Sequence, residues 1–317
     1  MGEQIVVNNP KISFIVPVHN SANTIQKCID SIILQGYDNV EIICINNGST
    51  DNSLQLLYDL YNNNDKIIIK NLDIIGVSNA RNFGISLVSG DYFKFVDSDD
   101  YLVSKTIEIL VHDAVISDAD IVLSNYIIMD NGVTSVIKST SYPGKYSIKE
   151  YMKNFLHFST INNNIGTKLY KTQYFRDLRF DTKYSITEDI KFYLEALKKS
   201  SNVYYSNIED YVYVKNTSSL MHNYKKNYLD ANIELINVFF GTMEAFDIPL
   251  TEHHHKYVYT SYINVLKNEL KYNNYPMIKM SSKNILMQHR PKGFKYFVLE
   301  TLIRLKFYPL IKYILNV

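Results

Sequence analysis

Three carboxylates lie within four residues at Asp97-Ser98-Asp99-Asp100, directly after Phe93, Phe95 and Val96. Carboxylates that close repel one another unless a cation is near. A hard divalent ion, Mn²⁺ or Mg²⁺, would relieve the repulsion and carry diphosphate oxygens on its other side. The plainer use is that Asp99 or Asp100 caps the next helix. A second constellation is Asn46-Asn47-Gly48-Ser49-Thr50-Asp51. Its side-chain amides can hydrogen-bond a nucleobase edge, or it is an ordinary turn with a capping residue. A third is Gly76-Val77-Ser78-Asn79-Ala80-Arg81-Asn82-Phe83-Gly84. Arg81 falls in the first turns of a helix, where the macrodipole disfavours a cation. It is either a surface arginine or the partner of an anion such as Asp97 or a diphosphate. The fourth is Thr187-Glu188-Asp189. Thr187 can cap a helix with both acids in its first turn, or one acid is a general base facing a substrate hydroxyl.

The histidines divide. His222, after Ser218-Ser219-Leu220-Met221, is a candidate third metal ligand, against the structural role more usual for a lone histidine. His19 follows Pro17 and Val18 at the end of the first strand, where the expectation is that it lines a nucleotide site. His253-His254-His255 reads as a solvated run.

Alternating elements must position these residues. Ile12 to Val16 reads as a buried strand stopped by Pro17. Ser21 can cap a helix burying Ile25, Cys28, Ile29, Ile32 and Ile33, ended by Gly36. Val40 to Ile45 is a second strand. A helix over about Ser53 to Tyr61 follows, with Leu54, Leu57, Tyr58 and Tyr61 inward. Lys66 to Ile69 is a strand, Asn79 to Val88 a helix and Tyr92 to Val96 a strand. Later come a helix over Ile107 to Val115, a strand at Ile121 to Leu123, a turn at Tyr142-Pro143-Gly144, a helix over Thr187 to Leu197 and β character from Tyr204 to Val214. This order predicts an α/β fold: a mainly parallel sheet with helices on both faces. Ligands of such sheets sit outside the carboxyl ends of the strands, so the chemistry should follow Val16, Ile45 and Val96.

The chain has 317 residues, 46% hydrophobic and 21% charged, with a formal net charge of +1. No global field draws it to nucleic acid. Its two cysteines, Cys28 and Cys44, have no metal-clip or disulfide spacing and suit a reducing compartment. Met1 to Pro10 lacks the pattern of a signal peptide, and no apolar run reaches the roughly 18 residues that span a bilayer. The expected location is cytoplasmic, with the tail as a membrane contact.

Taken in order, these pieces resemble the family 2 glycosyltransferases. Ser13-Phe14-Ile15-Val16-Pro17-Val18-His19-Asn20 looks like the family's first strand, and Asn46 to Asp51 its nucleoside loop. Asn79-Ala80-Arg81-Asn82 with Gly84 resembles its Ala-Arg-Asn helix start. Asp97 to Asp100 is similar to its metal motif, Lys168-Leu169-Tyr170 to a recurrent element, and Glu188-Asp189 to its acidic pair. The resemblance implies a GT-A fold, a nucleotide-sugar donor and inverting transfer. It implies that Asp97 touches the donor ribose or the metal, that Asp99 ligates the metal, and that Asp189 is the base, with Glu188 next in line. Pro17, His19, Asn46, Asn47, Arg81, Asp97 and Ser98 would bind the donor. The family usually has aspartates where this chain has Asn46 and Asn47; asparagine still accepts through its carbonyl and donates to a neighbouring base oxygen. Lys215 stands where many relatives carry an arginine.

These readings divide the chain into a catalytic domain over 1–222, its nucleotide-sugar half about 1–100 and its acceptor half about 101–222, and a helical region over 223–317. In the latter, Lys292, Lys295, Arg304, Lys306 and Lys312 interleave with Phe294, Tyr296, Phe297, Phe307 and Tyr308. Such a segment either lies on an anionic membrane or packs on the protein. The expected function is metal-dependent sugar transfer from a nucleotide-sugar, UDP-linked, to a glycan or lipid-linked acceptor in surface polysaccharide synthesis. The rivals are a nucleotidyltransferase, which would show a glycine-rich basic loop where Pro17 to Asn23 stands, and a degenerate domain that only binds glycans.

Overall fold

A computed structural model describes residues 9–138, 142–154, 164–183, 186–215, 228–249, 251–252, 267 and 270. The chain divides into two compact units, Met1–Ser219 and Leu220–Val317. His222, the His253 to His255 run and the basic aromatic segment from Lys292 onward lie outside the described residues.

The first unit opens with strand β1 (Ile12–Val18), helix α1 (Ile25–Ile33), β2 (Val40–Asn46), α2 (Ser53–Tyr61), β3 (Ile67–Asn71), α3 (Val77–Leu87) and β4 (Tyr92–Phe95). It continues with β5 (Tyr101–Leu102), α4 (Ile107–Ser117), β6 (Ile121–Asp130), β7 (Val133–Ile137), β8 (Gly144–Ser147) and α5 (Ile148–Asn154). A 3₁₀ turn (Ile165–Thr167), β9 (Lys168–Lys171), α6 (Thr172–Phe175), α7 (Glu188–Lys199) and β10 (Asn202–Val214) complete it. Among the described residues one sheet holds every strand, in the order β3-β2-β1-β4-β9-β6-β10-β5, with β7 on β6 and β8 on β10. The pairs β3-β2, β2-β1, β1-β4 and β6-β10 are parallel; β9, β5, β7 and β8 pair antiparallel.

β1 and β2 are buried along their whole length, as strands covered on both faces must be. Phe14, Val16 and Val18 face the core that takes in Cys28, Ile29 and Ile32 of α1 and Leu110 and Ala114 of α4. Ile15 faces α3, where a Cβ added at Gly84 would stand 2.3 Å from Ile15 Cγ2. Only glycine lets that helix lie so close to the strand.

Pro17 does not stop β1, which runs on to Val18. The reason is register. Ile15 offers its carbonyl to Val96 and Val18 offers its own to Asn47, so alternation turns the Pro17 nitrogen toward β4. The ladder with β4 ends at Ile15 opposite Phe95, so the missing N–H removes no sheet bond. Ser21 does not cap α1 through its hydroxyl; its carbonyl takes the Thr24 and Ile25 N–H groups. Ile33 and Tyr58 are exposed and Leu54 is half-buried, because α1 and α2 present narrower apolar edges than their sequences suggest. In the second unit α8 (Tyr228–Ala245) buries Leu235, Ile236, Phe239 and Met243 along one helical stripe.

Candidate active site

The acidic quartet leaves β4 and splits by environment. Asp99 is exposed, Asp97 half-buried, and Ser98 and Asp100 buried. Asp100 accepts from the Tyr211 hydroxyl at 2.7 Å and the Val214 N–H at 2.8 Å. Burial and the neighbouring Asp97 and Asp99 push its carboxyl up to about 8, against those hydrogen bonds. Asp100 therefore ties the loop to β10. The Ser98 and Ser21 hydroxyls meet at 2.7 Å and tie it to the turn before α1. Neither Asp99 nor Asp100 caps a helix: α4 begins at Ile107, with Thr106 at its N-cap.

Arg81 is buried, 3% exposed, not a surface residue. Its Nη1 donates to Asp189 Oδ1 at 2.6 Å and its Nη2 to Asp97 Oδ1 at 2.9 Å, with Glu188 Oε1 3.7 Å from Nη1. The buried Nε has no hydrogen-bond partner. Burial works against the cation, but Asp189, Asp97 and Glu188 outweigh it and raise its pKa. Aromatic rings form the floor beneath. Phe180 stacks on Phe192 at 4.0 Å, and Phe95 meets both edge-on. Asn82 clamps this floor: its Nδ2 donates to the Phe180 carbonyl at 2.9 Å and its Oδ1 accepts the Phe180 N–H at 2.7 Å.

Asp189 stands in the first turn of α7 with Glu188. Burial lifts its carboxyl, Arg81 pulls it down, and Glu188 and Asp97 lift it again; the balance pushes it up to about 7. Thr187 precedes them at the N-cap with φ +63° and makes no side-chain cap bond. A β-branched residue in that left-handed region is strained, and such strain gathers at sites that need a fixed geometry.

The nucleoside-loop candidates sit together at the ends of β1 and β2. Asn46 and Asn47 are buried. Asn47 donates to the Ile74 carbonyl and accepts the Gly76 N–H, at 2.7 and 2.6 Å, so its amide fixes the loop before α3. Asn46 donates to Asn71 Oδ1 at 2.7 Å, and its own Oδ1 is buried with no partner. His19 is exposed and its Nδ1 lies 2.8 Å from the Asn47 carbonyl. Pro17 is buried beside them. Lys215 pairs with Asp130 at 2.8 Å on the surface.

For a metal, Asp97 and Asp99 offer hard oxygen donors at the exit of β4, half-buried and exposed respectively. Among the described residues no three His, Cys, Asp or Glu side chains converge as a closed cage. The set fits an ion that keeps waters and takes its other ligands from a diphosphate, as Mg²⁺ does.

Sequence reasoning did not single out Lys94, Asp210 and Tyr211. Lys94 and Asp210 are fully buried and 2.6 Å apart, and the Tyr211 hydroxyl accepts the Asp97 N–H at 3.1 Å. The available signal was a lone cation inside the apolar run Tyr92-Phe93-Lys94-Phe95-Val96, which a buried strand admits only with a partner.

A family model described as Glycosyl transferase family 2 matches residues 13–179. Among curated relatives, glycosyltransferase GlyA of Streptococcus pneumoniae is 32% identical over 257 residues, covering 77% of this chain and 36% of that protein. Chondroitin synthase of Pasteurella multocida is 36% identical over 104 residues, 33% of this chain and 11% of that protein. Among solved structures, S. aureus TarS 1-349 in complex with UDP-GlcNAc matches with TM-score 0.69 at 17% identity, covering 95% of this chain and 89% of that one. That likeness shows the fold, the GT-A arrangement.

Proposed function

This chain belongs to the family 2 glycosyltransferases and is a glycosyltransferase; from that premise we propose that it moves a sugar from a UDP-sugar, with inversion, onto a hydroxyl of a glycan or lipid-linked acceptor. One observation carries the reading. Arg81 gathers Asp97 and Asp189, from the exit of β4 and the start of α7, onto a single guanidinium.

In this reading the acceptor hydroxyl attacks the anomeric carbon from the side opposite the diphosphate. The bond to the diphosphate oxygen breaks, the nucleoside diphosphate leaves, and the hydroxyl proton goes to Asp189. A carboxyl poised at about 7 suits that exchange near neutral pH. Arg81 holds the Asp189 oxygen in place, and Glu188, beside it in the first turn of α7, is the runner-up for the role. Pro17, His19, Asn46, Asn47, Arg81, Asp97 and Ser98 form the donor side. Asp97 and Asp99 would hold Mn²⁺ or Mg²⁺, and the ion would supply charge neutralisation on the departing diphosphate. The UDP-GlcNAc held by TarS and the polymer made by chondroitin synthase support a UDP donor and a surface-polysaccharide acceptor. In the same reading the basic, aromatic segment from Lys292 either touches an anionic membrane surface or packs on the protein.

A panel of UDP-sugars incubated with Mn²⁺ tests the reading. Release of one sugar, abolished by EDTA, is the expected result. Full activity in EDTA would remove the metal, and silence across the panel would remove the UDP donor.

A further inference from the structure

Behind the acidic loop, on the other face of the sheet, lies a second set of charges that the proposed chemistry does not use. Lys94 pairs with Phe14 in register and Phe95 with Ile15, so Lys94 points away from the aromatic floor under Arg81. Its Nζ donates to the Gly166 carbonyl and lies 2.6 Å from Asp210 Oδ2, both side chains 0% exposed. The Ser124 hydroxyl meets the other Asp210 oxygen and lies 3.0 Å from the Thr167 carbonyl. The groups thus come from four neighbours: Lys94 from β4, two carbonyls from the turn before β9, Ser124 from β6 and Asp210 from β10.

A buried ion pair is weak evidence for stability, since apolar replacements often serve as well. What this one fixes is a position. Asp210 is the extra residue of a bulge, set between Glu209 opposite Asn125 and Tyr211 opposite Tyr126. Bulges re-aim side chains beside active sites. The residue so aimed is Tyr211, fully buried, whose hydroxyl donates to Asp100 Oδ2 at 2.7 Å and accepts the Asp97 N–H at 3.1 Å. Its ring has no slack: a Cβ on Gly166 would stand 2.2 Å from Tyr211 Cε2.

We propose that Lys94 and Asp210 are positioning residues for the acidic loop, acting through the bulge of β10 and the Tyr211 hydroxyl on Asp97 and Asp100. The consequence for donor and metal binding rests on the function proposed above; the placement of Asp97 does not.

The test is a double-mutant cycle of Asp210→Asn and Tyr211→Phe in the full chain. It is read by calorimetry of UDP with Mn²⁺ and by hydrogen exchange of the Asp97 amide in the free protein. Each single change should weaken Mn²⁺–UDP binding by about 10–100-fold, the usual effect of losing a group that orients a ligand. Each should also speed Asp97 exchange. The double variant should be no worse than the more damaged single, because both changes act along one route. Effects that multiply, or Asp97 exchange unchanged in Asp210→Asn, would overturn the proposal. If Asp210→Asn does not fold, Ser124→Ala, which leaves the ion pair in place, replaces it in the same cycle. A wild-type chain that binds no Mn²⁺–UDP would sink the donor reading alone, and Asp97 exchange would still decide the positioning.

Discussion

Strand β4 carries two cation–carboxylate clusters on its two sides, and they have opposite characters. Around Arg81 the carboxylates of Asp97 and Asp189 are each 32% exposed, and the cation is buried. Around Lys94 nothing is exposed at all. The first keeps solvent contact at both carboxylates, which share one guanidinium with Glu188 3.7 Å away. The second is closed, one acid to one cation, with backbone carbonyls and a serine completing it. Charge that is buried but still meets solvent can change partners during a reaction; charge sealed on every side can only hold a shape.

The largest effect expected from that contrast is at Asp189. Asp189→Asn should lower transfer by about 10²–10⁴, the usual worth of a general base, while leaving donor affinity nearly intact. A fall of less than about tenfold, measured as kcat against KM, would remove Asp189 from that role. Next comes the closed cluster. Lys94→Met alone should cost about 3–5 kcal/mol in denaturant unfolding, because it strands a buried carboxylate, and Lys94→Met with Asp210→Leu should recover most of it. Equal losses in both would mean the pair acts only through its packing.

The pH dependence sharpens the same contrast. With the Asp189 carboxyl at about 7, kcat/KM should rise as pH passes upward through that value, since a base must be unprotonated. Stability should move the other way. Between about pH 4, where an unfolded aspartate titrates, and about 7, the folded chain keeps a proton the unfolded chain has lost. This group's contribution to stability therefore falls as pH rises through that window. A flat rate profile from pH 5 to 8 would count against Asp189 as the proton acceptor. The smallest effect calibrates the rest: Lys66 and Asp38, 3.6 Å apart and both exposed, should matter little. Lys66→Ala should shift stability by less than about 0.5 kcal/mol, with transfer unchanged.

How legible all this was in the sequence follows the range of the contacts. From β1 to β4 the elements succeed one another with short connections, and apolar period marks each within a few residues. α2 (Ser53–Tyr61) starts and ends where its pattern says. The acids at 97 and 189 stand out as candidates because one follows a strand pattern and the other opens a helix pattern. Asp97 is among the partners the sequence offers Arg81; Asp189 is not, because 108 residues separate it from Arg81. The half after Asp100 was harder. β5, β7 and β8 are short or exposed antiparallel strands with weak apolar period. β10 hides its bulge entirely, since the extra residue shows only against its partner strand.

Asn47 has one further consequence, and it concerns substitution. Its amide donates to a carbonyl and accepts an N–H, two opposite demands met by one side chain. The aspartate usual in the family could meet only the second, and would set a carboxylate oxygen against the Ile74 carbonyl in a buried spot. Asn46 carries a lighter tie: its nitrogen donates to a side-chain amide oxygen, Asn71 Oδ1, and that amide can turn over to donate in return. An aspartate is therefore admitted at position 46 by turning one neighbouring side chain, whereas at position 47 it needs the Ile74–Gly76 backbone to move.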